Sequence, residues 1–242
     1  LAAQDCDLVI AIRSEPAARA LQFAKLSAPV LFLAIDYDPL ASGIVSNLRS
    51  PDRRTTGVYV PQNSLVARRV GIMREILPQA KRLMVFADAY SADQVEAARK
   101  AAAAAGFQLM LVQFGNQPYD YRVYLEDRRG IEADAFMSLA SPTFARDRQI
   151  IQEALIRLRI PAIGSNPLQA EKGYLLTLGS NVPKVAKRVA DMGVRLLAGT
   201  NPSAIAVELA DEFELVINSG TAQVLGVRIP DAVRARAARI LA

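Results

Sequence analysis

The 242-residue chain contains no histidine and only one cysteine, Cys6. Without histidine, the commonest general base and the commonest metal ligand are missing. A lone cysteine forms neither an internal disulfide nor a thiolate metal centre. Beside an apolar run, Cys6 reads as a small packed side chain. There is no run of five or more basic residues. The 29 lysines and arginines are scattered, with local pairs at Arg53-Arg54, Arg68-Arg69 and Arg128-Arg129, and the net charge is +5. That pattern argues against a nucleic-acid face and supports at most a weak preference for anionic ligands. No apolar stretch reaches the ~20 residues of a spanning helix. No signal peptide is recognisable, which would equally be true of a processed chain. Neither a GxGxxG nor a GxxxxGK phosphate loop occurs. Asp36 and Asp38 are an acid and a base by type only, since nothing places a nucleophile beside them. No catalysis, cofactor or metal is expected.

What is present is globular: 52% apolar and 22% charged residues, in a length that suits one large domain or two small lobes. The most legible stretch is Phe213–Pro230, FELVINSGTAQVLGVRIP. FELVIN is a β-branched apolar run bounded by polar residues, a strand signal. Asn218 and Ser219 offer oxygens to the N–H groups that open a helix. Gly226 suits the left-handed position that ends one, and Pro230 starts a second short helix. By itself this is one more β–α unit, or a late return of the chain to a sheet begun much earlier.

Strand and helix alternate along the rest of the chain. Strands are expected at Leu8–Ile12, Pro29–Ala34, Gly57–Val60, Leu83–Ala87, Phe107–Val112, Ala135–Ala140, Pro161–Gly164 and Tyr174–Gly179. Helices follow after Ser14, over 40–49, from Gln62 to Leu77, over Asp93–Ala105, Arg122–Gly130, Thr143–Leu158 and Val182–Ala198. That alternation predicts α/β architecture, doubly wound, with helices on both faces of parallel sheets. About nine strands suit two sheets with a cleft better than one sheet. In open parallel sheets ligands bind beyond the carboxyl ends of the strands. There the sequence offers Arg13-Ser14, Asp36-Tyr37-Asp38, Asp88-Ala89-Tyr90, Ser141-Pro142, Gly164-Ser165-Asn166 and Gly179-Ser180-Asn181. Helix N-termini follow most of them and favour carboxylate or phosphate. Each residue also has a plain structural use: Ser14, Ser141 and Asn181 as helix caps, Asp38 in a turn before Pro39, Tyr37 and Tyr90 as half-buried rings. Arg13 is the odd one, because a cation there opposes the helix dipole.

Taken together, strand–Ser–Glu–Pro (10–16), FLAIDYDPLASGIVSNLRSP (32–51), TGVYV (56–60), REILPQAKRLMVFAD (74–88), AAAAAGFQL, PAIGS (161–165), GYLLTLGSN (173–181), LLAGTNPSAIAVE (196–208) and FELVINSGTAQVLGVRIP resemble the substrate-binding proteins of ABC transporters. The resemblance is to the family that includes the tryptophan- and tyrosine-type amino-acid binders. The resemblance implies a type I periplasmic-binding fold of two lobes joined by three crossings, 1–61 with 166–202 and 62–165 with 203–242, closing on ligand by hinge motion. It implies a small carboxylate-bearing ligand in the inter-lobe cleft, a permease partner in the membrane, and a periplasmic or extracytoplasmic location. The implied contacts are Arg13 and Ser14 for the acidic end and Asp38 or Asp88 for the ammonium, with Tyr37, Tyr90, Ser141 and Ser165 around the cleft. Three positions depart from the family's pattern: many members carry a small residue at Arg13, Asn-Pro at Asp88-Ala89 and a Ser-Asp-Pro-like triplet at Ala140-Ser141-Pro142. Members usually begin with two further strands and helices upstream of Leu1. The first lobe is therefore expected to lack its initial strands, leaving Leu8–Ile12 as an apolar edge open to homodimer formation, and any membrane anchor would lie upstream. The alternative function is a sensory or interaction module that kept the fold without transport.

Overall fold

A computed structural model describes residues 6–24, 26–35, 37–51, 54–126 and 132–242. The expected alternation is realised in chain order as β1 (Val9–Ile12), α1 (Glu15–Phe23), β2 (Val30–Ala34), β3 (Thr55–Tyr59), α2 (Gln62–Ile76), β4 (Arg82–Ala87), α3 (Val95–Ala104), β5 (Gln108–Gln113), α4 (Arg122–Leu125) and β6 (Ala135–Ser138). It continues with α5 (Pro142–Arg146), α6 (Arg148–Arg157), β7 (Ala162–Gly164), α7 (Pro167–Glu171), β8 (Leu176–Ser180), α8 (Val182–Leu197), β9 (Glu208–Leu209), β10 (Phe213–Asn218), α9 (Ser219–Leu225), α10 (Asp231–Arg234) and β11 (Arg239–Leu241).

Contacts divide the chain into two compact units, 1–61 with 180–212 and 62–179 with 213–242. The first holds a sheet of order β1-β2-β3-β9, parallel throughout, with Val9 opposite Val30 and Phe32 opposite Gly57. β2 and β3 are buried on both faces, as continuous apolar runs in a covered parallel sheet should be. α8 buries Val185, Val189, Met192 and Leu196, a stripe at helical spacing. β1 is an edge strand, with Ile10 47% and Ile12 59% exposed. The core gathers Leu21, Val30, Phe32, Tyr37, Ile44 and Tyr59.

The second unit is built on a seven-stranded sheet of order β11-β10-β8-β7-β6-β4-β5. Its core is aromatic: Phe86, Phe114, Tyr121, Phe136, Phe144 and Tyr174 pack together. Phe86 meets Phe136 edge-on at 4.7 Å between ring centroids, a favoured aromatic geometry. Arg69 of α2 is fully buried. It donates to the Leu178 carbonyl of β8 (2.8 Å) and to Gln62 Oε1 (3.0 Å), which fixes the helix on the sheet.

Several expectations need correction. Residues 40–49 form turns, not a helix: Gly43 takes φ 70°, and Gln22 claims the carbonyls of Gly43 and Ile44 that a helix would use. The single helix expected over Thr143–Leu158 is broken at Asp147, whose φ of −88° and ψ of 10° lie outside the helical region. The helix expected over Arg122–Gly130 is seen as α4 alone, and residues 127–131 lie outside the described residues. Eleven strands occur among the described residues rather than about nine. The expected Tyr174–Gly179 strand is β8, a partner of β7 in the second sheet. Residues 166–179 accordingly lie in the second unit and 203–212 in the first.

Candidate functional site

In the first unit, β1 ends at Ile12 and the chain turns through Arg13 into α1. Arg13 adopts φ 55°, a left-handed conformation that costs a non-glycine residue about 1 kcal/mol. Its N–H bonds the Leu33 carbonyl of the neighbouring strand at 2.9 Å, so the sheet itself holds the turn. Ser14 caps the helix, its hydroxyl accepting from the Ala17 N–H at 3.3 Å. After β2, Tyr37 is buried in the core. Asp38 accepts from the N–H groups of Leu40 (2.8 Å) and Ala41 (3.2 Å) and from the Tyr59 hydroxyl (3.2 Å). Asp36 lies outside the described residues. Asn181 caps α8 through the Lys184 N–H at 3.0 Å.

In the second unit, Asp88 follows β4 and is fully buried. Its Oδ1 accepts from the Ser91 N–H (3.1 Å) and the Ser91 hydroxyl (3.0 Å). Its Oδ2 accepts from the Ser141 hydroxyl (2.5 Å) and the Tyr119 hydroxyl (3.3 Å). Ser141 in turn caps α5, accepting from the Thr143 N–H at 3.1 Å. Gln94 grips both the N–H and the carbonyl of Ala140 at 3.0 Å, setting the β6 end on which Ser141 sits. The structure thus brings Asp88 and Ser141, predicted separately, into one hydrogen-bonded unit. Tyr90 is 42% exposed and near enough to Tyr119 to act on its phenol electrostatically. Ser165 belongs to a different arrangement: Gln169 Oε1 accepts from the N–H groups of Ser165 (2.8 Å) and Asn166 (3.0 Å).

The sequence reading missed the loop after β5. Tyr119 stacks on Phe114 (4.8 Å between centroids) and places its hydroxyl on Asp88. Burial, the adjacent Asp88 charge and its hydrogen bond raise the pKa of this phenol, though a bond to Thr143 opposes the rise. Gln117 donates to Thr143 Oγ1 at 3.1 Å and accepts from Arg146 at 3.2 Å. Together Gln117, Tyr119, Thr143 and Arg146 add amide, hydroxyl and cationic groups to the same strand-end face. The tyrosines at 119 and 121 were visible in the sequence, but no periodicity marks a loop that folds back over a strand end.

Arg146 also anchors Asp147, with Nε 2.6 Å from Oδ1. That bond, with help from the Tyr121 hydroxyl at 2.8 Å, holds the Asp147 carboxyl below its ordinary pKa. A depressed carboxylate contributes stability that is complete above its unfolded pKa of about 4 and is lost as pH falls through the lower folded value. Urea unfolding of wild type and Asp147→Asn is expected to show a stability gap at pH 6 that closes toward pH 2. A gap that does not change with pH would remove the ion pair from this explanation.

Among the described residues no group of three or more potential metal ligands occurs, and no helix is long and apolar enough to cross a membrane. The family model of the ABC transporter substrate binding protein matches residues 1–241. No match was found among curated protein sequences. Among solved structures, an ABC domain in complex with L-Trp from Streptococcus pneumonia superposes with TM-score 0.88 at 24% identity, over 100% of this chain and 83% of that one. A conserved domain protein from Vibrio cholerae gives 0.82 at 26%, over 98% and 79%. The ligand-free, open structure of a substrate binding protein with adhesive properties from Clostridium difficile gives 0.70 at 24%, over 99% and 80%. These likenesses are those of the type I periplasmic-binding fold.

Proposed function

Because the chain belongs to the ABC transporter substrate binding protein family, we propose that it captures a small carboxylate-bearing ligand, an amino acid or a related acid, and delivers it to a membrane permease. The family's role is binding rather than catalysis, and it is exercised outside the cytoplasm. The observation that carries the ligand class is Arg13. A guanidinium is kept at the start of α1, against the helix dipole, on a backbone strained at φ 55°. Residues strained in this way and held by their surroundings cluster at active sites and ligand clamps, and a ligand acid group accounts for a guanidinium at this helix start. Ser14 supplies a hydroxyl and α1 its N-terminal N–H groups to the same acid.

The ammonium is assigned to Asp38 rather than Asp88. Asp38 is only half-buried, whereas both oxygens of the fully buried Asp88 are occupied by four donors. On this reading Asp88 positions Ser141 and Tyr119, and those hydroxyls, with Tyr90 and Ser165, meet the rest of the ligand. The L-Trp complex of a structural neighbour supports an amino acid as the first class to try. The test is a thermal-shift series on the purified chain with L-tryptophan, L-tyrosine, L-leucine, L-glutamate and succinate. A ligand that binds only the native state raises Tm, by several degrees at a hundredfold excess over Kd. A flat response to all five would overturn the proposal.

A further inference from the structure

A concavity lies in the second unit, between α2 and strands β8 and β10. It is a cavity of about 280 Å³ lined by Arg68, Gly71, Ile72, Glu75, Leu178, Phe213, Leu215 and Arg236. Its floor is apolar: Ile72, Leu178 and Leu215 are all buried. Its rim is charged, with two guanidiniums against one carboxylate. Arg236 is engaged by Glu75, which leaves Arg68 as the net cation. Arg68 makes no ion pair among the described residues. Its guanidinium sits over the Phe213 ring, 5.5 Å from the centroid.

Gly71 is the independent observation. It is the tenth of the fifteen residues of α2, where glycine costs roughly 0.5–1 kcal/mol relative to alanine. No neighbour demands it: a Cβ at Gly71 would meet nothing within 4 Å. A helix interior that gives up this stability beside a cavity with an unpaired cation and an aromatic wall leaves room for something to approach.

We propose that this cavity is a second ligand site, for a small amphipathic organic anion: an aromatic or branched apolar body on Ile72, Leu178 and Leu215, and a carboxylate or sulfonate on Arg68. The volume is at the lower end of small-molecule pockets and suits one or two rings. The site is independent of the ligand reading above, because none of its residues is among those assigned there.

The probe is 5-dimethylaminonaphthalene-1-sulfonate, whose two fused rings and sulfonate match the two halves of the cavity. It is titrated by fluorescence against the full chain under native conditions. The wild type is expected to show one saturable site. Gly71→Leu, which fills the open space from a residue that favours helix, is expected to weaken binding at least tenfold. Arg68→Gln, at an exposed position that leaves the fold intact, is expected to weaken it about fivefold and to flatten its salt dependence. Gly71→Ala is expected to raise Tm, and Ser14→Gly to leave dye binding unchanged. Absence of saturable binding, or equal affinity in the wild type and Arg68→Gln, would overturn the proposal. So would loss of binding in Ser14→Gly with retention in Gly71→Leu, which would assign the dye to the strand-end residues instead.

Discussion

Asp88→Ala is expected to destabilise the second unit by roughly 2–4 kcal/mol, the scale of removing one charged partner from several buried donors. The carboxylate accepts from one N–H and three hydroxyls within 3.3 Å, and no part of it reaches solvent. Deleting it leaves the hydroxyls of Ser141 and Tyr119 without this acceptor, while the Ser91 N–H keeps only the Asp88 backbone carbonyl at 3.1 Å. It also removes the cap of the 3₁₀ turn Ala89–Gln94, worth about 1 kcal/mol by itself. Asp88→Asn keeps the shape but turns one oxygen into a donor facing hydroxyls, so a smaller loss is expected. Urea denaturation measures both. A loss below about 0.5 kcal/mol for the alanine variant would mean that the three hydroxyls are satisfied without Asp88. Because Tyr119 and Ser141 are aimed by Asp88, ligand affinity is expected to fall as well.

The second large effect is expected at Gly179. Strand β8 passes so close to the turn after β7 that a Cβ at Gly179 would lie 2.3 Å from the Ser165 carbonyl oxygen and 3.2 Å from Pro167 Cδ. The obstacle is backbone, which cannot rotate away as a side chain would. Gly179→Ala therefore has to displace the Ser165-Asn166 turn, whose N–H groups are held by Gln169. A cost of roughly 3 kcal/mol is expected, at the upper end for overpacking, and would be read from the urea midpoint. Affinity for a ligand that touches Ser165 is expected to fall with it. Unchanged stability would show that β8 and this turn can separate at little cost.

Where local chemistry decides structure, the sequence was readable. FELVIN became β10, Asn218 caps α9 through the Thr221 N–H at 2.7 Å, and Gly226 ends that helix at φ 68°. Ser14, Ser141 and Asn181 all cap the helices they precede. The misreadings have long-range causes. β9 and β11 are two and three residues long, too short for any periodicity, and exist because β3 and β10 offer them an edge. Within residues 40–49, Gln22, some twenty residues earlier, takes the carbonyls of Gly43 and Ile44. At the candidate site, residue types at strand ends were legible while their partners were not. Nothing local to Asp88 announces that Tyr119 and Ser141, 31 and 53 residues away, will occupy its oxygens. That pairing turns a candidate ligand contact into a residue that positions others.

The assignment of Arg13 and Ser14 to the ligand acid is tested most directly by calorimetric titration of wild type and Ser14→Gly, using whichever carboxylate raises Tm most. Glycine is nearly as good as serine at a helix start, so the unliganded fold loses only a few tenths of a kcal/mol. An affinity at least tenfold weaker in Ser14→Gly, with Tm of the free protein nearly unchanged, is the expected result. The same Kd for both proteins would place the acid group of the ligand elsewhere and contradict the strand-end site.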